Sequence, residues 1–369
     1  MSKCKYWNER TRCLSPYIAG EQPPAERKFI KLNTNENPYP PSPKVAESIN
    51  RLLREGAGDA GRLRLYPDPA CTALRAAIAE KYGVSSDQVF CGNGSDEVLG
   101  FAFGAFFAAH SQRSVIMPDV TYSFYQVYAA LWDIPIRTIP LRSDFTLDIS
   151  DYTRSENIVG GCVIANPNAP TGISITSGEI EAIVSAHDKY GEDGIVLVDE
   201  AYAAFSGVSS SAVPLIKKYP NLLTVHTLSK AFSLAGLRVG FAIGDKALIE
   251  ALCRIRDSFN SYTLDALAQE AAAAAIMDSD YYDTINGKII NTKERVSSVL
   301  KENDFEVMPS SANFIFIKKS GVGGSSLFTK LREAGILVRY FDKPRISDFV
   351  RVTIGSDPDM DTFLQAVLE

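Results

Sequence analysis

The sequence predicts an α/β protein: a large domain with a mostly parallel sheet and helices on both faces, followed by a smaller α+β domain. Apolar, strand-like runs alternate with helical patterns between residues 41 and 270. This alternation is typical of a parallel sheet covered on both sides. After residue 270 the alternation ends, and the segments ERVSSVLKENDFEV, NFIFIKK and FVRVTIG form a pattern typical of an α+β domain.

The predicted elements of the large domain follow one another in a regular order. Strand-like runs and helical patterns occur along the chain as QVFCG, SDEVLGFAFGAFFAA, SVIMP, YSFYQVYAALW, GCVIAN, SGEIEAIVSAHDKYG, IVLVDE, LLTVHTLS and RVGFAIG. Residues 1–40 are rich in Pro and Asn, which predicts an extended arm that joins the small domain. We therefore expect an arm at 1–40, a large domain at 41–270 and a small domain at 271–369.

Composition excludes several classes of protein. The chain has 38 basic and 44 acidic residues and no basic run with interleaved aromatic residues, so nucleic acid is not expected as a partner. The longest apolar stretch, VLGFAFGAFFAA, is too short to span a membrane, and the N-terminus lacks an apolar signal core. A cytoplasmic protein is expected.

Cysteine and histidine spacing gives no metal motif. The cysteines are scattered without a CxxC pair, which predicts reduced thiols at Cys4, Cys13, Cys71, Cys91, Cys162 and Cys253. The histidines are far apart in sequence, and we expect structural roles for His110, His187 and His226.

Polar residues follow several of the predicted strands. GCVIA is followed by NPNAPTG, IVLV by Asp199, Glu200 and Tyr202, and LLTVHT by Ser229 and Lys230. Each pattern also has a purely structural interpretation: a turn, a helix cap or a solvated lysine. Ligands of open α/β sheets bind beyond the carboxyl ends of the strands, so these residues together predict a binding site at one sheet edge.

The segment GNGSDE partly matches the fingerprint of a dinucleotide-binding site. A strand, a GxG turn and a helix resemble that fingerprint, but Glu97 stands at the third glycine position and no suitable acidic residue follows. An NAD-dependent dehydrogenase is therefore disfavoured. The helix N-terminus, with Ser95 beside it, still suits a phosphate group.

Lys230 and Arg238 are eight residues apart. If a short loop joins two neighbouring strands here, both residues lie at the same sheet edge. An arginine suits a phosphate and a nearby amine can form a Schiff base with an aldehyde. Pyridoxal 5′-phosphate carries both groups, and Asp199 is the candidate carboxylate for its ring nitrogen.

With these residues in place, the chain resembles the fold-type I pyridoxal-phosphate aminotransferases and, more narrowly, the histidinol-phosphate aminotransferase family. The similarity runs from about residue 14 to the C-terminus. It is carried by SPYIAGEQP, KLNTNENPYPPSP, LYPDP, GNGSDE, TYSFY, NPNAPTG, VDEAY, TLSKAFSLAGLRVGF, LVRYFDKPRI and VRVTIG.

The resemblance implies a role for each matching residue. Lys230 would bond the cofactor's aldehyde and later move a proton, Asp199 would pair with the ring nitrogen, and Tyr202 would hydrogen-bond the ring's phenolic oxygen. The cofactor's phosphate would be surrounded by Gly94, Ser95, Asp96, Thr227, Ser229 and Arg238. The remaining contacts would come from Tyr122 stacking on the ring, Tyr66 of a neighbouring subunit on the phosphate, Arg351 on the substrate's carboxylate end and Arg339 on the substrate's phosphate.

One position departs from the family pattern. The asparagine that usually precedes PTG is replaced by Ala169. Either Asn168 takes over its contact with the phenolic oxygen, or Tyr202 serves alone and Asn168 only stabilises the turn. Structural interpretations also stay open for Tyr122, as a core aromatic residue, and for Arg339 and Arg351, as surface residues.

The resemblance implies a homodimeric enzyme without a metal that transfers an amino group from L-histidinol phosphate to 2-oxoglutarate, giving imidazole acetol phosphate and L-glutamate. Three alternatives remain: an aminotransferase for aromatic amino acids, a lyase that decarboxylates threonine phosphate, and a catalytically silent regulatory domain of this fold.

Overall fold

The computed structural model describes residues 5–23, 28–55, 60–107, 109, 113–154, 156, 160–190, 194–206 and 211–369. Cys4 and His110, predicted to be a thiol and a structural histidine, lie outside these ranges. The strands are β1 (Ile30–Lys31), β2 (Val89–Asn93), β3 (Val115–Pro118), β4 (Ile136–Ile139), β5 (Cys162–Ala165), β6 (Val196–Asp199), β7 (Leu222–Thr227), β8 (Val239–Gly244), β9 (Phe305–Val307), β10 (Phe314–Lys319), β11 (Ile336–Leu337), β12 (Arg339–Tyr340) and β13 (Val350–Thr353).

Helices alternate with the strands of the first sheet and cover the second. They are α1 (Glu9–Cys13), α2 (Pro43–Arg54), α3 (Thr72–Tyr82), α4 (Gly94–Phe106), α5 (Phe124–Leu131), α6 (Ile149–Thr153), α7 (Ser177–Tyr190), α8 (Lys246–Phe259), α9 (Ala266–Ile276), α10 (Ser279–Glu302), α11 (Gly324–Glu333) and α12 (Asp357–Leu368).

The large sheet has the order β2-β8-β7-β6-β5-β3-β4, and only β8 runs against its neighbours. Its strands read as continuous apolar runs because both faces are covered. Alternate residues face different clusters: Val196 and Val198 lie in one, and Leu197 in the other. One cluster includes side chains of α3, α7 and α9, and the other those of α4, α5 and α8. The predicted fold class is confirmed.

β7 and β8 are antiparallel neighbours in which Thr227 pairs with Gly240. The loop between them therefore leaves and re-enters the sheet at the same edge. This pairing brings Lys230 and Arg238 to that edge, as the sequence predicts.

The second sheet is antiparallel, in the order β12-β13-β10-β9, and it packs against α10 and α11. The strand β1 does not join the large sheet. It pairs in parallel with β11, beside this second sheet, through Ile30 with Ile336 and Lys31 with Leu337. The N-terminal arm is thereby tied to the small α+β unit.

The N-terminal arm contains more regular structure than its composition predicts. Asn8 caps α1 by accepting a hydrogen bond of 2.8 Å from the amide of Thr11. An ion pair between Arg10 and Asp133 attaches this helix to the large unit. Further along, the ring of Tyr17 stacks on Phe124 at 4.5 Å. Side-chain contacts of this long range leave no local signal in the sequence.

The remaining sequence expectations concern reduced thiols and structural histidines. Five described cysteines are free thiols. His187 is fully buried, and burial lowers its pKa to about 4. Burial also lowers the pKa of His226 to about 3, and its ring stacks on Phe241. Over the described ranges, no group of three or more candidate ligands could hold a metal ion, and no helix is long and apolar enough to cross a membrane.

Candidate active site

The polar residues that follow the strands meet at one edge of the large sheet. The parallel pairs β5–β6 and β6–β7 bring their carboxyl ends together, and β8 begins at the same edge. The turn from β2 into α4 joins them because β2 pairs with β8, Asn93 opposite Val239. The site residues therefore converge although they are far apart in sequence.

Two glycines allow the start of α4, Arg238 and β8 to lie close together at this edge. Gly94 starts α4 with a positive φ of 77°, and a Cβ there would lie 2.6 Å from Nη2 of Arg238. A Cβ on Gly240 would come within 2.3 Å of the Gly94 carbonyl carbon and the Ser95 nitrogen. No side chain caps α4 at Asn93. Its first N–H groups, beside a guanidinium, form a cradle suited to phosphate.

Hydroxyl groups line the other side of this cradle. The Nη1 of Arg238 donates to Oγ of Ser229 over 3.3 Å, and Thr227 donates to the same oxygen over 3.0 Å. Both hydroxyl residues are buried. Asp96 accepts from Nη2 of Arg238 at 3.2 Å. The six residues expected to surround the phosphate thus form one cluster.

Asp199 lies at the end of β6 and is only 5% exposed. The hydroxyl of Tyr125 donates to its Oδ2 over 2.8 Å, and the amide of Ala201 donates to Oδ1 over 3.1 Å. Burial raises the pKa of the carboxyl to about 6, and the two hydrogen bonds oppose this rise. A buried carboxylate of this kind favours a cationic N–H as its partner.

The Lys230 amine points towards the N-terminal segment and donates to the carbonyl of Thr34 over 2.9 Å. Its nitrogen lies 6.0 Å from the centre of the Tyr202 ring. Burial, with a smaller contribution from the charge of Arg351, lowers the pKa of this amine to about 8, and the charge of Glu36 opposes the change. A larger share of this amine than of an ordinary lysine amine is therefore neutral and nucleophilic near neutral pH.

Two of the predicted site residues are tyrosines, Tyr202 beside this amine and Tyr122 beside Asp96. The Tyr202 hydroxyl accepts a hydrogen bond of 2.8 Å from Nδ2 of Asn35, and its ring packs edge-on against Phe314 at 5.2 Å. Tyr122 donates to Oδ1 of Asp96 over 2.9 Å. It lies just before α5, with the ring edge-on to Tyr125 at 5.6 Å.

The side-chain amide of Asn168 bonds its own loop and the loop that follows β3. Its Nδ2 donates to the carbonyl of Val120 and to the hydroxyl of Thr171, at 2.9 and 3.1 Å. Its Oδ1 accepts from Thr121 at 2.8 Å. Since both N–H groups are already bonded, this geometry favours the interpretation in which Asn168 stabilises the turn and Tyr202 serves alone.

Arg339 and Arg351 lie directly opposite each other across β12 and β13. Arg351 donates to the carbonyl of Asn33 over 2.9 Å, and its Nε has no hydrogen-bond partner among the described residues. Arg339 donates to the carbonyl of Ile18 over 3.3 Å. Two facing cations repel each other, and a buried unpaired guanidinium N–H is costly. Both features favour an anionic ligand here.

Tyr66 does not contact the other predicted site residues within this chain. Its side chain is 78% exposed, and its ring stacks on Tyr262 at 4.6 Å. Its expected contact with a neighbouring subunit stays a prediction.

The structure also identifies neighbours of the site that the sequence did not reveal. Tyr125 bonds Asp199, while Asn33, Thr34 and Asn35 contact Arg351, Lys230 and Tyr202. The only available signal was the run NTNEN itself, an unusual density of asparagine just before a proline. Nothing in its spacing indicates which side chains it meets.

Comparison with known proteins gives a consistent result. The family profile of "Aminotransferase class I and II" matches residues 27–367. A histidinol-phosphate aminotransferase of Clostridium acetobutylicum is 50% identical over 365 residues, covering 99% of both chains. One from Chromohalobacter salexigens is 46% identical over 363 residues, covering 98% of both.

A solved structure shares the fold over the full length. Histidinol-phosphate aminotransferase of Sinorhizobium meliloti, in complex with pyridoxal-5′-phosphate, superposes with a TM-score of 0.85 at 22% identity, covering 100% of this chain and 98% of that one. The profile match and the relatives in sequence show that the chain belongs to the class I and II aminotransferase family.

Proposed function

We propose that this chain is a pyridoxal-phosphate-dependent enzyme that transfers the amino group of L-histidinol phosphate to 2-oxoglutarate, giving imidazole acetol phosphate and L-glutamate. The observation that carries the proposal is the convergence of Lys230, Asp199 and Arg238 at one sheet edge. The name of the relative that is 50% identical over nearly the whole chain supports the choice of substrate.

The residues present fit the cofactor. The cradle at the start of α4 matches a phosphate, since glycine at position 94 leaves space beside Arg238 and glycine at position 240 lets β8 lie against the Gly94–Ser95 backbone. Asp199 offers a buried carboxylate for a protonated ring nitrogen, and Tyr122 would stack on the ring. When bound, pyridoxal phosphate supplies an aldehyde that takes up the amino group and a ring that withdraws electrons from the substrate's Cα.

The protein's own groups then have defined tasks. The Lys230 amine would be the nucleophile for the aldehyde and would later take up and release the proton at the substrate's Cα. Its lowered pKa suits a group that must take up and release a proton near neutral pH. Tyr202 would donate to the ring's phenolic oxygen.

Substrate recognition is assigned to the two facing arginines. Arg351 is half-buried and would hold a carboxylate, or the equivalent polar end of histidinol phosphate. Arg339 would bind the substrate's phosphate, and also the distal carboxylate of glutamate. An anion between them relieves the repulsion across β12 and β13.

We further propose how the chain is divided. Residues 1–40 would form an arm that joins the small domain, as the pairing of β1 with β11 supports. The predicted boundary at residue 270 falls inside α9, which packs against α2 and α3. We therefore place the division between α9 and α10, near Met277.

The proposed assembly is a homodimer with shared active sites. The exposed apolar side chains of Leu63, Leu65 and Tyr66, at 50, 45 and 78% exposure, support an interface at this place. A cytoplasmic location is proposed as well, supported by the free thiols, since a reducing compartment keeps cysteines in that form.

Rescue of a bacterial histidine auxotroph that lacks its own histidinol-phosphate aminotransferase tests the proposal. Wild-type chain is expected to restore growth without histidine, and Lys230→Ala at equal expression is expected to fail. No growth with well-expressed wild-type chain, or equal growth with both, contradicts it.

A further inference from the structure

Asn35 lies beneath the hydroxyl of Tyr202 and belongs to a different part of the chain. Its side chain is 1% exposed, and its backbone adopts a left-handed φ of 58°, a conformation that Asn tolerates better than most residues. Its Nδ2 lies 2.8 Å from Oη of Tyr202. A buried amide in a special backbone conformation calls for an explanation.

The hydrogen bonds around Asn35 fix the direction in which its amide points. The backbone N–H of Asn35 donates to Oγ1 of Thr353 over 2.9 Å. The Thr353 hydroxyl proton is then free to donate to Oδ1 of Asn35, which lies 3.1 Å away. Since Oδ1 is held as an acceptor, Nδ2 must face Tyr202, and an amide nitrogen can only donate.

The direction of the Tyr202 hydroxyl is constrained in turn. Because Oη of Tyr202 accepts from Asn35, the phenol's own proton is not used in that contact. We propose that Asn35 is a positioning residue that fixes Tyr202 as a hydrogen-bond donor towards the cofactor's phenolic oxygen. This inference rests on the proposed function, because the acceptor belongs to pyridoxal phosphate.

The arrangement connects Tyr202 to the small sheet. Thr353 ends β13, and Asn313, just before β10, donates to the Asn35 carbonyl over 3.0 Å. The carbonyl of the preceding residue, Thr34, accepts from the Lys230 amine. One short segment thus holds both groups that flank the cofactor's reactive end, and its own position is set by the small sheet.

The test is a spectrophotometric pH titration of pyridoxal phosphate bound to purified protein. A donor on the ring oxygen stabilises its negative charge and weakens its hold on the proton shared with the Lys230 nitrogen. Loss of the donor's orientation therefore moves the midpoint of the absorbance change to higher pH. Asn35→Gly, which keeps the left-handed backbone accessible, is expected to raise it by about 0.5 to 1 unit.

Two threonine variants test the orienting step without changing Asn35. Thr353→Val keeps the shape but lacks the hydroxyl, so it is expected to shift the midpoint upward like Asn35→Gly. Thr353→Ser keeps the hydroxyl and is expected to titrate as wild type. The control is Asn303→Gly, the same chemical change at an exposed site whose amide donates to the Val299 carbonyl of the helix that it caps.

A double variant separates this role from a general structural effect. If Asn35 acts through the tyrosine hydroxyl, Asn35→Gly adds nothing in a Tyr202→Phe background. Additive shifts, or midpoints of Asn35→Gly and Thr353→Val equal to wild type, overturn the inference. A wild-type protein that shows no absorbance of bound cofactor contradicts the proposed function instead.

Discussion

The hydroxyl of Tyr125 donates a 2.8 Å hydrogen bond to Oδ2 of Asp199, inside a core where both side chains are at most 5% exposed. Burial alone would favour the neutral carboxylic acid. The tyrosine opposes that tendency and, together with the Ala201 amide, holds the carboxylate in one orientation. Asp199 is thereby prepared to receive a protonated ring nitrogen.

Replacing Tyr125 by Phe is expected to weaken pyridoxal-phosphate binding roughly 10-fold, because a hydrogen bond to a charged group is lost. The measurement is a fluorescence titration of cofactor-free protein. A cofactor analogue with carbon in place of the ring nitrogen is expected to bind both proteins equally, since it makes no ion pair with Asp199.

The control is Tyr152→Phe, which removes a buried hydroxyl that has no hydrogen-bond partner among the described residues. Its cofactor affinity is expected to equal that of wild type. If Tyr125→Phe weakens binding of the analogue as much as that of the cofactor, Tyr125 acts on the shape of the site and the account of Asp199 is wrong.

The pH dependence of cofactor capture follows from Lys230. Its pKa lies near 8 rather than 10.5, because burial and the charge of Arg351 disfavour the ammonium form. Only the neutral amine attacks an aldehyde. The rate of capture is therefore expected to rise about 10-fold per pH unit below that pKa and to level off above it. Stopped-flow absorbance of cofactor-free protein mixed with pyridoxal phosphate measures this rate.

Removing the positive charge in Arg351→Met is expected to raise the pKa of Lys230, so the plateau moves to higher pH. The charge-matched control is Arg332→Met, which removes an arginine of α11 that is paired with Glu21. It is expected to leave the profile unchanged. A plateau that does not move in Arg351→Met would show that its charge does not set the reactivity of Lys230.

Recognition of the substrate's phosphate is tested at Arg339. Arg339→Gln is expected to raise KM for histidinol phosphate about 10- to 100-fold, because a charge-assisted contact is lost. Turnover of histidinol, which lacks the phosphate, is expected to change little. Equal losses for both compounds would contradict the assignment of Arg339 to the phosphate.

Sharing of the active site between subunits is tested by complementation. Tyr66→Ala and Lys230→Ala proteins are each expected to be impaired, and mixing them after mild denaturation and refolding is expected to restore part of the activity. A mixed dimer contains one site with both Lys230 and the partner's Tyr66 intact. If mixing never raises activity although mixed dimers form, Tyr66 does not act across the interface.

The sequence was informative where function depends on neighbours along the chain. Lys230 and Arg238 flank one loop between paired strands, and Asp199 ends a strand, so strand patterns alone bring them to one edge. The fold class followed from the same alternation. The reason for glycine at positions 94 and 240 became clear only from the distances between a Cβ placed there and its neighbouring atoms.

Long-range side-chain contacts could not be predicted in this way. Asn35 and Tyr202 are separated by 167 residues, and Tyr125 and Asp199 by 74. No periodicity relates such pairs, because their meeting depends on how the small sheet and α5 pack against the large sheet. The fate of Asn168 likewise became visible only once its bonds to Val120, Thr121 and Thr171 were known.

We claim that the protein transaminates histidinol phosphate, and a coupled assay of the purified protein tests this activity. With pyridoxal phosphate, L-histidinol phosphate and 2-oxoglutarate, the wild-type protein is expected to form L-glutamate, and Lys230→Ala is expected to form none. Aromatic amino acids as donors are expected to react more slowly. Absence of glutamate together with release of CO2 from threonine phosphate would contradict the claim and identify the chain as a lyase.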